Sequence, residues 1–116
     1  MAKTVAEAKV RTRDGTAVIE LSGDIDGAAD QVLNTAYAEA SASGLAEIVL
    51  NFENVNYINS TGIALIVGVL AQARKEQRVV KACGLTDHYR HIFEITRLAD
   101  FMPMFDDESA AVGGSK

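Results

Sequence analysis

Asn59, Ser60, Thr61 and Gly62 stand in a row directly before the most apolar helical stretch of the chain, within NVNYINSTGIAL (Asn54 to Leu65). Small polar residues at such a place admit three kinds of chemistry. The first is helix capping, because Asn, Ser and Thr each carry an oxygen that can accept from an orphan backbone N–H. The second is nucleophilic catalysis by Ser60, with His88 or His91 as the base. The strained elbow that displays a hydrolase serine wants Gly two residues before it. Ile58 occupies that position, and no oxyanion-hole signature accompanies it. The third is phosphorylation. A phosphate on Ser60 would meet free backbone N–H groups and the positive end of a helix dipole. It would also bring roughly −1.5 to −2 charges onto an apolar surface.

Other residues with chemical potential are more scattered. Cys83, His88 and His91 are three possible metal ligands. A structural zinc site wants four, usually with paired cysteines. The two histidines read as decoration of a solvated helix face, and Cys83 as a small core residue. Asp24 and Asp26 have no third carboxylate nearby, so turn and capping chemistry fits them better than metal or acid–base work. No G-x-x-x-x-G-K-[ST] and no G-x-G-x-x-G motif occurs, and no cofactor is expected.

These residues must be positioned by alternating strands and helices. AKVRTRDGTAVIELSG reads as a hairpin turning at Asp14-Gly15. AADQVLNTAYAEASAS places Val32, Leu33, Ala36, Tyr37 and Ala40 on one helical face, with Asp26 ahead as a cap. AEIVLNF is a continuous apolar run ending in Phe52, as in a strand covered on both faces. A loop through Asn59 follows, then a helix from about Thr61 to Glu76. RVVKAC is a short strand closed by Gly84. A helix from about Asp87 to Thr96 is capped by Thr86. DFMPMF is a weak strand that Pro103 sends to an edge. DDESAAV makes a short terminal helix, and GGSK a loose tail. The alternation implies one α/β domain over 1–116, with its core at about 5–112 and a tail at 113–116. Its sheet is mixed and mostly parallel, with an antiparallel N-terminal edge and helices packed against it.

At 100° per residue, Ile63, Ile66, Val67, Leu70 and Ala73 share the face that packs on the sheet. Leu65 then lies almost opposite, near Thr61, Gly68 and Gln72. An uncharged outer face beside small residues reads as a partner surface.

Composition narrows the class. The chain has 116 residues, 48% of them apolar, enough for a real core and too many for a disordered chain. One cysteine excludes a disulfide framework and suits a reducing cytosol. A formal net charge of −5 argues against nucleic acid. The longest apolar run, Ile63 to Ala71, is too short to span a bilayer, and no signal peptide is evident. The expectation is a cytoplasmic protein with no membrane insertion.

Three segments, LSGDID, IVLNFENVNYINSTGIALIVGVLAQAR and HIFEITRL, resemble the STAS-domain anti-sigma-factor antagonists of bacteria, in order and correctly spaced from about Val18 to Phe105. The resemblance implies a partner switch. The unphosphorylated antagonist binds an anti-sigma factor that is also a serine kinase, which frees the sigma factor. The kinase phosphorylates and releases the antagonist, and a PP2C-type phosphatase resets it. In the family pattern Asp-Ser-[Ser/Thr]-Gly the serine takes the phosphate. That position is Ser60 here, with Thr61 as second candidate. Two departures stand out. Asn59 replaces the family's acid, and Arg97 stands where the third helix often ends in Gly. A non-Gly residue in a left-handed turn costs about 1 kcal/mol, so this helix is expected to end differently.

The expected function is therefore a non-enzymatic binding module switched at Ser60. Its partner surface would comprise Asn59, Ser60, Thr61, Gly62 and Leu65, with Asp24 and Asp26 from a Gly23–Asp26 loop. Two alternatives remain open. One is a non-switching STAS module of a stressosome or a lipid transporter. The other is a small enzyme using Ser60, which a serine-reactive phosphonate would label.

Overall fold

A computed structural model describes residues Thr4–Gly113. The outer residues of the expected 113–116 tail lie outside the described residues. The alternation predicted from sequence is present: β1 (Glu7–Arg13), β2 (Thr16–Ile25), α1 (Asp30–Ala42), β3 (Glu47–Ile58), α2 (Ser60–Lys75), β4 (Val79–Cys83), α3 (Asp87–Ile95), β5 (Met104–Phe105) and α4 (Glu108–Gly113). One sheet orders the strands β1-β2-β3-β4-β5. β1 and β2 are antiparallel and every other pair is parallel. The hairpin turns at Asp14 and Gly15, both at positive φ (49° and 79°), where Gly and Asp are favoured. Short β5 is the far edge, where Pro103 donates no ladder bond but its carbonyl accepts from the Ala82 N–H at 2.9 Å.

The period-2 alternation of the strands sorts the core into two layers. Ala17, Ile19 and Leu21 of β2, Ile48, Leu50 and Phe52 of β3, and Val80 and Ala82 of β4 meet α1, α2 and α3 on one face. Val18, Val49 and Cys83 point to the other face, where Ala111 of α4 covers them. The Asn51 and Lys81 side chains also reach α4: Asn51 Nδ2 donates to Glu108 Oε1 at 2.9 Å, and Lys81 Nζ to the Ala111 carbonyl at 3.2 Å.

Three expectations are corrected. β3 does not end at Phe52: it runs to Ile58, so most of the expected loop is strand. β2 supplies the reason, since it continues to Ile25 and pairs Asp24 with Tyr57 and Ile25 with Ile58, through two register shifts. By the same pairing Gly23, Asp24 and Ile25 are strand rather than loop. At the end of α3, Arg97 does adopt the left-handed conformation, φ 69° and ψ 11°. Its Nε donates to Asp100 Oδ2 at 2.7 Å, a contact that offsets part of the backbone cost.

Candidate functional site

The start of α2 is fixed by three elements. The Asn59 N–H donates to the Ile25 carbonyl of β2 at 3.2 Å. One residue earlier, the Ile58 N–H donates to the Tyr89 hydroxyl of α3 at 3.0 Å. Asn59 is extended (φ −98°, ψ −178°), and its Oδ1 accepts from the Gly62 N–H at 2.8 Å. Of the three residues able to cap, Asn59 is the one that does. Ser60 becomes the first helical residue, and both it and Thr61 are exposed. Gly62 is buried, and a Cβ there would overlap the Ile25 carbonyl oxygen. Only glycine lets the helix start lie this close to β2.

A 3-10 turn, Gly27–Ala29, completes the ledge. Asp26 caps it, its Oδ1 accepting from the Ala28 N–H at 3.0 Å. A Cβ built on Gly27 would stand 3.4 Å from Thr61 Cγ2, so this turn lies directly beside Thr61. The structure thus brings Asp26, Asn59, Ser60, Thr61 and Gly62 together. Asp24 stands half-buried near the end of β2, two residues before Asp26.

The rotation of α2 differs from expectation. Ile66, Val69, Leu70 and Ala73 are buried, Leu65 is half-buried against the core, and Val67 is 45% exposed. The cause is α1, which flanks α2 and shares its core through Leu33 and Tyr37. The buried arc must face both the sheet and α1, so it turns toward Leu65 and Val69. The outward strip of α2 is Thr61, Ala64, Val67, Gly68 and Ala71. It is uncharged, as expected, but Leu65 is not its centre.

No acid stands in the first turn of α2, and Asp26 caps the 3-10 turn beside it. His88 and His91 are exposed on α3. Cys83 is buried on the opposite side of the sheet, where burial pushes its thiol up to about 12. The structure does not bring the three together.

Sequence reasoning missed Tyr89. The available signal was an aromatic ring with a polar tip on an amphipathic helix, a residue type that finds a hydrogen-bond partner when it packs. It also missed that a β2 carbonyl anchors Asn59, because the pairing that places Ile25 there is non-local.

An anti-sigma-B factor antagonist of Staphylococcus aureus is 31% identical over 91 residues, covering 78% of this chain and 84% of that protein. The crystal structure of an anti-sigma factor antagonist from Mycobacterium paratuberculosis superposes with a TM-score of 0.80 at 20% identity, over 93% of this chain and 92% of that one. The Bacillus cell fate determinant SpoIIAA, solved in its phosphorylated form, gives a TM-score of 0.67 at 22% identity, over 90% and 96%. At these identities the two structures establish likeness of fold. The family model described as the STAS domain matches residues 7–111, and the chain belongs to that family.

Proposed function

We propose that this chain is an anti-sigma-factor antagonist whose binding is switched by phosphate on Ser60. Unphosphorylated, it binds an anti-sigma factor that is also a serine kinase. Phosphorylated, it is released until a PP2C-type phosphatase resets it. It acts as a binding module, with no chemical step of its own. The observation that carries the reading is the division of labour at the helix start: Asn59 caps, so the exposed Ser60 hydroxyl is not committed to capping. The uncharged strip beyond it on α2 suits a protein partner. The antagonist names of its relatives support the same class.

The switch works because a phosphate has opposite effects in the free and bound states. In the free domain a dianion at a helix N-terminus is favourable by roughly 0.3–2 kcal/mol. In an interface that offers it no cation, it must lose water without compensation, which costs several kcal/mol.

Intact-mass analysis of protein from its own cells tests the site. The expected result is a fraction heavier by one phosphate, mapped to Ser60 and lost on PP2C-type phosphatase treatment. Phosphate mapped to a residue outside the ledge, or none under any growth condition, would overturn the reading.

A further inference from the structure

Six large apolar residues stand exposed among the described residues, and three of them, Val67, Val79 and Phe101, line one cleft. The cleft measures about 560 Å³ and lies between the C-terminal half of α2, the start of β4 and the turn that follows α3. Its inner wall is apolar, with Leu70, Val80 and Leu98 buried behind it. Clefts of this size and character commonly hold small ligands.

The rim is cationic in a chain whose net charge is −5. Arg74, Arg78 and Arg97 border the cleft, and Asp100 is the one acid among its lining residues. Asp100 is engaged by Arg97. Arg78 is held by the Leu45 carbonyl and by Glu76, 3.3 Å away. Arg74 is different: its guanidinium sits 5.4 Å from the centre of the Phe101 ring, placed by the aromatic face rather than by a carboxylate. Arg97 holds its place at the rim in a left-handed backbone conformation.

We infer that this cleft binds a small amphiphile bearing one carboxylate and an apolar tail. The tail would lie against Val67, Leu98 and Phe101. The carboxylate would take the guanidinium fork of Arg74, whose planar donors match two carboxylate oxygens. The cleft shares Val67 and Ala71 with the outward strip of α2, but its cationic anchor is apart from the phosphorylation position: Ser60 and Arg74 are separated by about 21 Å along α2 at the helical rise.

The test is a titration of the isotope-labelled full chain with sodium decanoate below its micelle concentration, followed by amide shifts. Decyltrimethylammonium, with the same tail and the opposite charge, is run in parallel. Saturable one-to-one binding of decanoate is expected, with shifts confined to Val67–Arg74, Val79–Val80 and Thr96–Phe101. Decyltrimethylammonium should bind at least about tenfold more weakly, and Arg74→Glu should weaken decanoate by a similar factor. Arg74 is exposed, so that variant should melt like the parent. Val67→Ser, tested alongside, should also weaken decanoate by removing part of the tail's wall. The inference is overturned by non-saturating or scattered shifts, by equal binding of the cation, or by unchanged affinity in both variants. It is also overturned if the face proves occupied by a second copy, seen as a dimer in sedimentation that Val67→Ser dissolves.

Discussion

Asn59 and Ser60 are both residue types that could cap α2, and Asn59 is the one that does. Asn59 Oδ1 holds the Gly62 amide, and Ser60 is left exposed in the first turn. Asn59→Ala should therefore cost about 1 kcal/mol, as loss of a cap does, and Ser60→Ala under about 0.5 kcal/mol. Chemical denaturation of the two variants checks this, and an equal or reversed order would return the cap to Ser60. Gly62 sets the position of both. Because a Cβ there would overlap the Ile25 carbonyl oxygen, Gly62→Ala should cost at least about 2 kcal/mol by forcing the helix start off β2. A melt indistinguishable from the parent would show that the close approach is not required. The residue types of this ledge were legible in the sequence, and three candidate caps were evident. Which of them caps was not, because the choice follows from where the Ile25 carbonyl and the Tyr89 hydroxyl hold the backbone.

Among the elements, α4 shows how much a short helix can owe to distant charges. Glu108 accepts from Arg11 and Arg13 of β1 and from Asn51 of β3, at 2.9 Å from Arg11 Nη1, 2.8 Å and 2.9 Å. Those bonds, Arg11 first, hold its carboxyl down at about 2, against an ordinary value of 4.5. A carboxylate with a depressed folded pKa stabilises the fold above its free pKa and loses that contribution as pH falls toward the folded value. The melting temperature of the parent should thus fall more steeply than that of Glu108→Gln between about pH 5 and about pH 3. Parallel curves would mean that Glu108 does not hold α4 on the sheet. The DDESAAV stretch announced a short helix with acids at its favourable end, and that is what forms. Nothing local announced that one of those acids would meet two arginines from a strand some 97 and 95 residues earlier. The extension of β3 to Ile58 has the same cause. Its second half is polar and exposed at Glu53, Asn54, Asn56 and Tyr57, and it is strand because β2 runs beside it.

At the scale of the molecule, a mixed five-stranded sheet carries three helices on one face and α4 on the other, and the α2 start emerges where β2 and β3 end together. The alternation of strands and helices, the hairpin, the edge strand and the order of elements were legible, because each rests on local periodicity or on a turn residue. The rotation of α2 was not. A helical wheel gives angles between residues of one helix, and α1 decides which of those angles faces inward. The consequence bears on the proposed partner surface: the uncharged exposed strip runs through Ala64, Val67 and Ala71, whereas Leu65 is half-buried. In the proposed function, a phosphate on Ser60 breaks this surface without breaking the fold. The most direct measurement is a matched pair, phosphorylated and unmodified protein, each melted and each titrated into the cognate anti-sigma factor. Closely similar melting temperatures and a loss of affinity on the order of 100-fold or more are expected. Equal affinity in the two forms, or weak binding by a phosphorylated form that has unfolded, would contradict the proposal.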